Sequence, residues 1–148
     1  MNTQHPSKHT IIERSVSLGR QSFRIIFLIG ILLFVACLLI QLFTVGMSVF
    51  INPSWWTRHT QFAHVIGSLA FILFPVAFLG RFPKIILGLT GLINILLFVQ
   101  FGTIHLSILP ALSLSAAFHP VNAFLLLWTA TMTARKTWWI VISSSDAR

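Results

Sequence analysis

Four long apolar segments, separated by short connections, constrain this chain more than any other feature of its sequence. They cover residues 24–50, 56–80, 83–109 and 118–138. A helix of about 20 apolar residues is long enough to cross a bilayer, and 56% of the 148 residues are hydrophobic. A soluble domain of this length has too small an interior for so much apolar surface. The sequence therefore predicts one membrane domain, over residues 24–142, with four transmembrane helices.

The short connections predict how these helices are arranged. Asn52-Pro53-Ser54 is a turn signal between the first two segments, and Gly80-Arg81-Phe82-Pro83-Lys84 is a tight turn between the second and third. Short connections place consecutive helices side by side. We therefore predict an all-α transmembrane four-helix bundle in up-down-up-down order. The first and third segments are expected on one diagonal, and the second and fourth on the other.

The positions of the cations predict the orientation of the bundle. Nine of the ten Lys and Arg residues lie on the side that holds both termini, and only Arg58 lies on the other side. Because cytoplasmic loops carry an excess of Lys and Arg, both termini are expected to be cytoplasmic. Residues 1–23 and 143–148 are then the two cytoplasmic tails. The first apolar segment is too long for the core of a cleavable signal peptide, and the expected location is the bacterial cytoplasmic membrane.

The charge balance and the reactive residues exclude several classes of function. Topology accounts for the net charge of +8, so anionic lipids are the expected partners and no basic face remains for nucleic acid. Cys37 is the single cysteine, which rules out an intramolecular disulfide. Neither acidic residue lies in an apolar segment, and no catalytic Ser/His/Asp set or phosphate loop is present. The sequence therefore indicates no particular enzymatic reaction.

Polar side chains follow one face of each apolar segment, because they recur at spacings of three, four, seven or eleven residues, which return to the same face of a helix. In lipid, such a face is expected to point into the bundle. The residues expected to point inward are Cys37, Gln41, Thr44 and Ser48; Gln61, His64 and Ser68; Thr90, Asn94 and His105; and His119, Asn122, Thr129 and Thr133. A second row on the third segment consists of Gln100, Thr103 and Ser107. No internal repeat is recognised in the sequence.

Four histidines fall in the outer half of the predicted bundle. They are His59, His64, His105 and His119. His59 and His64 are five residues apart, which is about 140° around a helix, so they cannot both face the same point. Because His64 shares its face with Gln61 and Ser68, we predict that His64 and His119 point into the bundle. His59 is then expected at the membrane interface.

This histidine cluster has four interpretations. A b-type haem needs two imidazoles across an apolar slot, and His64 with His119, or His64 with His105, would supply them. The same three histidines would also suit a zinc or copper centre. A quinone or a lipid headgroup held by histidine and amide side chains is the third interpretation. The fourth is an accessory or scaffold subunit without a cofactor, in which the histidines bridge helices. The further candidate ligand-binding residues at this depth are Gln41, Gln100 and Asn122.

Short motifs in this pattern resemble an uncharacterised family of small bacterial four-helix membrane proteins. The motifs are Gln41, His64-Val65-Ile66-Gly67, Gln100 and His119-Pro120-Val121-Asn122, and the resemblance covers about residues 30–135. It implies a fold but no settled activity. The chain more loosely resembles membrane b-type cytochromes, whose second and fourth helices each carry two haem-ligating histidines. Here the inner half of the bundle has none, so this resemblance implies at most one haem.

Overall fold

Four α-helices form where the four apolar segments lie. In the structure, a computed structural model, the described residues are 8–146, with side chains described for residues 18–143. The helices are α1 (Lys8–Phe50), α2 (Trp55–Leu79), α3 (Lys84–Leu106) and α4 (Ser115–Asp146), and a short 3-10 helix, Pro110–Leu112, precedes α4. The predicted tails lie partly outside the described residues, which exclude residues 1–7 and 147–148. The prediction of an all-α four-helix fold is confirmed.

The helices extend beyond the predicted apolar segments at three of their ends. Residues assigned to the N-terminal tail continue α1 back to Lys8, and α4 runs on to Asp146. Helix α4 also begins earlier than expected, so Pro120 lies inside the helix. Extending an existing helix costs little, because each added residue gains one backbone hydrogen bond after nucleation. A helix therefore continues past the end of an apolar segment, which marks only the part that lipid covers.

Each helix packs mainly against its neighbours in the chain. The most extensive contacts join α1 to α2 and α3 to α4, and further contacts of α1 with α4 and of α2 with α3 close the bundle. This arrangement confirms the two predicted diagonals. The turn at Asn52-Pro53-Ser54 is also present, where the Ser54 N–H donates to Asn52 Oδ1 at 2.9 Å.

Apolar side chains cover the outside of the bundle as well as its centre. The core includes Phe27, Phe34 and Ile93, which are fully buried, whereas Ile29 and Ile95 are about 60% exposed. Three helical spans, Leu18–Phe50, Trp55–Leu79 and Lys84–Leu106, are long and apolar enough to cross a membrane. An apolar outer surface on helices of this length indicates a membrane protein, because exposed apolar side chains are favourable in lipid and unfavourable in water.

Helix α4 is absent from those three spans because its polar side chains face inward. The buried polar residues of α4 are Asn122, Thr129, Thr133 and Thr137. Its outer face carries large apolar side chains, of which Phe118, Phe124 and Trp128 are each more than 60% exposed, together with the exposed Thr131, Arg135 and Lys136. A mean hydropathy averages both faces of a helix, so a polar inner face lowers it although the outer face suits lipid.

At the end of the bundle where α2 turns into α3, Arg24 of α1 binds the C-terminus of α2. Its Nε donates to the Gly80 carbonyl at 3.0 Å, and its Nη2 donates to the Arg81 carbonyl at 3.3 Å. The guanidinium also lies 5.5 Å from the centre of the Phe82 ring. The last carbonyls of a helix lack intrahelical partners and carry partial negative charge. Arg24 therefore satisfies the end of α2 with a cation from the neighbouring helix.

Gly30 permits the close approach of α1 to α2, and its substitution by alanine is expected to be destabilising. A Cβ at Gly30 would lie 2.6 Å from Leu73 Cδ2, whereas a Cβ at Gly88 would have no heavy atom within 4 Å. Overpacking costs about 2 kcal/mol, and alanine returns about 1 kcal/mol of helix propensity. We expect Gly30→Ala to lower the free energy of unfolding in detergent by about 1 kcal/mol. The matched control, Gly88→Ala, is expected to raise it, and equal effects would contradict the assignment.

Candidate functional site

At the end of the bundle where α1 turns into α2, called the outer end from here on, hydrogen bonds around His59 join the two helices, and His59 is half-buried. Thr44 Oγ1 donates to the Gln41 carbonyl at 2.7 Å and lies 3.0 Å from His59 Nδ1. A hydroxyl has a single hydrogen, so Thr44 must accept the proton of His59 Nδ1. We assign the tautomer from this network, and it leaves His59 Nε2 as an acceptor. Gln41 Nε2 donates to the His59 carbonyl at 2.7 Å.

The outer ends of α3 and α4 are joined in a related way around His119. Thr103 Oγ1 donates to the Gln100 carbonyl at 2.9 Å, and His119 Nδ1 lies 3.2 Å from Thr103 Oγ1 and 3.1 Å from that carbonyl. His119 Nδ1 is therefore the donor, and Nε2 accepts from Gln100 Nε2 at 2.9 Å. Asn122 Nδ2 donates to Gln100 Oε1 and to the Leu96 carbonyl. Both ring nitrogens of His119 and both polar atoms of the Gln100 amide are thus paired.

Helices α1 and α2 form a first hairpin and α3 and α4 a second, and the two hairpins repeat a similar arrangement of residues. A Gln-x-x-Thr pair lies near the end of the first helix of each hairpin. The histidine follows the glutamine by 18 residues in the first hairpin and by 19 in the second. Each histidine lies four residues after the first residue of its helix. The buried positions of α1 also correspond in order to those of α3, and the buried positions of α2 to those of α4. The pairs are Phe27 and Ile86, Ile31 and Thr90, Phe34 and Ile93, Thr44 and Thr103, Ile66 and Leu126, Ala70 and Ala130, and Leu73 and Thr133.

This repeat corrects the expectation that the chain has no internal repeat. The signal that would have identified it is Gln41-x-x-Thr44-x-x-x-Ser48, which recurs as Gln100-x-x-Thr103-x-x-x-Ser107. Because most of the corresponding positions differ in residue type, the equivalence is visible mainly in burial and hydrogen bonding. The structure therefore shows two equivalent hairpins, each with one half-buried histidine at its outer end.

The hairpins differ in the partner of the glutamine Nε2, which is the His59 carbonyl in one and the His119 ring in the other, and at one further position. Asn122 follows His119 by three residues, and the corresponding residue after His59 is Phe62. Phenylalanine cannot donate a hydrogen bond, and Gln41 Oε1 is buried without a partner among the described residues. The outer end of the bundle therefore contains one satisfied network, in the second hairpin, and one network with an unpaired acceptor, in the first.

The structure contradicts the predicted orientations of His64 and His59. His64 is exposed, as are Gln61 and Ser68, whereas His59 is half-buried. His64 Nδ1 is paired with the Thr60 carbonyl of its own helix at 2.8 Å. A histidine that satisfies one nitrogen on its own backbone and keeps the other near the interface loses little by facing outward. The predicted inward position of His119 is correct.

His105 is exposed as well, although it was expected to point inward. Its Nδ1 is paired with the Phe101 carbonyl at 2.8 Å, and the His64 ring lies 5.7 Å from the Phe101 ring. His64 and His105 therefore both border Phe101 on the outer surface of α2 and α3. Throughout the part of the chain that the structure describes, no three His, Cys, Asp or Glu side chains form a group suited to a metal ion.

Of the other predicted site residues, Gln41, Gln100 and Asn122 are all brought into the outer-end networks. The sequence-based interpretation missed the part played by His59 and Thr103. Thr44 was expected to face inward and does, but its pairing with a histidine was not foreseen. These residues became recognisable only when the partners on the adjacent helix were known.

Comparison with known proteins gives one partial match. Residues 41–106 are similar to a family of unknown function, DUF6220. The matched part begins at Gln41, includes His59, Gln100 and Thr103, and ends before His119. Neither the curated proteins nor the solved structures match this chain. The looser similarity to membrane b-type cytochromes therefore has no support from these comparisons, and the site must be interpreted from its own geometry.

Proposed function

We propose that this chain is a small multi-pass membrane protein that binds one quinone-class ligand at the outer end of its bundle, through Gln41 and His59. The observation that carries the proposal is the buried Gln41 Oε1, for which the described residues provide no hydrogen-bond partner. Buried polar atoms are rarely left unpaired, because the loss of hydration costs about 1–3 kcal/mol. A ligand that pairs with this atom recovers that cost.

The surroundings of Gln41 suit a neutral aromatic ligand with polar oxygens. No Asp or Glu occurs between residues 18 and 143, so a cationic ligand would find no carboxylate to balance it, and burial of an unpaired charge is costly. An anionic ligand would be repelled by the unpaired acceptor Gln41 Oε1. The Trp56 ring lies 5.5 Å from the His59 ring, and Phe62 packs against the core. Quinones and their reduced quinols combine a flat ring with two oxygens and reach such a site from the bilayer, where their apolar tail dissolves.

Several features of the membrane arrangement belong to the same proposal. Helix α4 spans the bilayer with the other three helices, because it packs along α1 and α3 and has a largely apolar outer face. Both termini are cytoplasmic in a bacterial cytoplasmic membrane, as the cation distribution indicates. Oxidation or reduction of a bound quinone needs an electron acceptor or donor, and we propose that a larger membrane complex supplies it.

The orientation is tested by reporter fusions at both ends of the chain. Alkaline phosphatase fused after Arg20 or after Arg148 is expected to be inactive, and a green fluorescent protein fused after Arg148 is expected to fluoresce. As a control, alkaline phosphatase inserted after Ser54, in the α1–α2 connection, is expected to be active. An active phosphatase at either terminus would contradict the proposed orientation.

Ligand binding is tested with purified protein in nanodiscs and a short-chain benzoquinone, added in its oxidised form and, under anaerobic conditions, in its reduced dihydroxy form. Quenching of tryptophan emission is expected on titration, because the Trp56 ring lies beside the His59 ring. The variant Gln41→Leu is expected to weaken binding of the reduced form about tenfold, which corresponds to the lost hydrogen bond from a ligand hydroxyl to Gln41 Oε1. Gln61→Leu is the matched control, since Gln61 lies on α2 with an exposed side chain. Equal affinity of both variants and the wild type, or no binding by the wild type, would refute the proposal.

One b-type haem is the second candidate, and the geometry favours His64 with His105 over His64 with His119 as its axial ligands. In His64 and in His105, Nδ1 is hydrogen-bonded to a carbonyl of the same helix, so Nε2 would be the nitrogen that binds iron. His119 Nε2 accepts from Gln100, so ligation of iron would break that bond. Reduced, detergent-purified protein expressed with ample haem should then show a Soret band. The band should be lost in His64→Ala and His105→Ala and kept in His119→Ala; colourless protein would exclude this candidate.

A further inference from the structure

We propose that the outer-end site of the first hairpin receives a hydrogen-bond donor, so that its ligand is the reduced dihydroxy form, a quinol, in preference to the oxidised quinone. This inference rests on the proposed function and adds the chemical form of the ligand. It follows from a comparison of the two equivalent hairpins, one of which pairs the corresponding amide oxygen and one of which does not.

The second hairpin shows which partner the glutamine oxygen takes when the network is complete. There Gln100 Oε1 accepts a hydrogen bond from Asn122 Nδ2, which also donates to the Leu96 carbonyl. In the first hairpin Phe62 occupies the position of Asn122, and the Gln41 oxygen has lost its donor. The amide of Gln41 cannot turn to avoid this, because its Nε2 is held by the His59 carbonyl at 2.7 Å. The missing group is therefore a donor.

The histidine of the first hairpin presents a second acceptor. His59 Nδ1 donates to Thr44, which leaves a lone pair on Nε2. In the second hairpin the corresponding nitrogen accepts from Gln100 Nε2, but in the first hairpin the glutamine Nε2 is already bonded to a backbone carbonyl. Nothing in the described ranges donates to His59 Nε2. Two acceptors at one end of the bundle thus lack donors.

A ligand that carries only acceptors fits this arrangement poorly. The carbonyl oxygens of a quinone would meet the lone pairs of Gln41 Oε1 and His59 Nε2, which repel them. The hydroxyl groups of a quinol donate to either atom, and a site built around buried polar groups discriminates strongly against an analogue that leaves them unpaired. A phenolic hydroxyl is therefore the group that would donate to the unpaired acceptors of the first hairpin.

The test compares three ligands that share one ring and one short tail. Anaerobic calorimetric titrations of the protein in nanodiscs use the benzoquinol, its dimethyl ether and the benzoquinone. The ether keeps the ring and both oxygens but has no donor, and it is not readily oxidised. We expect the quinol to bind about tenfold more tightly than either of the others.

A pair of variants at Phe62 tests the origin of this preference. Phe62→Asn introduces the donor that the second hairpin has, so it should pair with Gln41 Oε1 and weaken quinol binding about tenfold. Phe62→Leu has nearly the same size as the asparagine variant but no donor, and it should retain the preference for quinol. Circular dichroism and elution volume are measured for both variants, and Gln41→Leu provides a third variant that removes the acceptor itself.

The possible outcomes separate this inference from the function on which it rests. If none of the three ligands binds, the proposed quinone-class function fails. If the quinone and the ether bind as tightly as the quinol, the function stands and the donor preference is wrong. Unchanged quinol binding by a folded Phe62→Asn variant would also overturn the inference, since it would mean that water or no group at all pairs with Gln41.

Discussion

A Gln100→Leu variant is expected to unfold with a free energy about 3 kcal/mol below that of the wild type. Gln100 donates to His119 Nε2 and accepts from Asn122, so it joins α3 to α4 through both ends of its amide. Leucine keeps the volume but leaves the imidazole nitrogen without a donor in a half-buried position. An average hydrogen bond between membrane helices contributes only about 0.6 kcal/mol. The larger value here arises because one substitution removes two hydrogen bonds and leaves the half-buried His119 Nε2 without a donor.

The equivalent change in the other hairpin is the matched control. Gln41→Leu removes one hydrogen bond, to the His59 carbonyl, and also removes an acceptor that is already unpaired. These two effects oppose each other, so we expect a change in unfolding free energy within about 1 kcal/mol. Reversible denaturation in mixed micelles, followed by circular dichroism, measures both variants. A loss in Gln41→Leu as large as that in Gln100→Leu would contradict the difference between the hairpins.

Replacing Arg24 by methionine is expected to cost about 2 kcal/mol of stability. Arg24 donates to the carbonyls of Gly80 and Arg81, where α2 ends, and lies over the Phe82 ring. Methionine retains much of the apolar stem but provides no donor, so the terminal carbonyls of α2 lose a charged partner. Because the guanidinium is partly exposed, water replaces some of these bonds, which is why the expected loss stays below that of two buried charged contacts.

Arg20→Met is the control for the loss of a cation from the same helix. Arg20 lies one turn before Arg24, and its buried Nε is unpaired within the described chain. We expect this variant to change the unfolding free energy by less than about 0.5 kcal/mol. The same denaturation assay applies to both variants. Equal destabilisation would show that positive charge at this end, and not the bonds to Gly80 and Arg81, stabilises the bundle.

The sequence predicted the fold well because lipid imposes a simple requirement on it. Every spanning segment must be apolar along its length and must satisfy its backbone internally, so segment lengths and turns such as Asn52-Pro53-Ser54 nearly determine a helical bundle. The inward faces of α1 and α4 were also predictable, and Thr44, Asn122 and Thr133 are buried as expected. Helix ends were less predictable, since α1 begins at Lys8 and α4 ends at Asp146, both outside the apolar segments.

The candidate site was only partly predictable, and α2 shows why. Its few polar residues near the outer end do not share one face, so spacing favoured the row that contains His64. The structure instead buries Ile66, Ala70 and Leu73 against the other helices, and that rotation brings His59 towards α1 and exposes His64. Packing of apolar side chains decides the rotation of α2, because a histidine can find hydrogen-bond partners on its own helix or at the membrane interface.

The sequence by itself determined the number of helices, their order and the polar composition of the outer end, since these depend on residue type and spacing along one chain. Only the tertiary structure decided that Gln41, Thr44 and His59 repeat the arrangement of Gln100, Thr103 and His119, and that Phe62 leaves one acceptor unpaired. Hydrogen bonds between helices depend on how each helix is rotated about its axis. That rotation is set by the packing of all four helices together, which no single segment encodes.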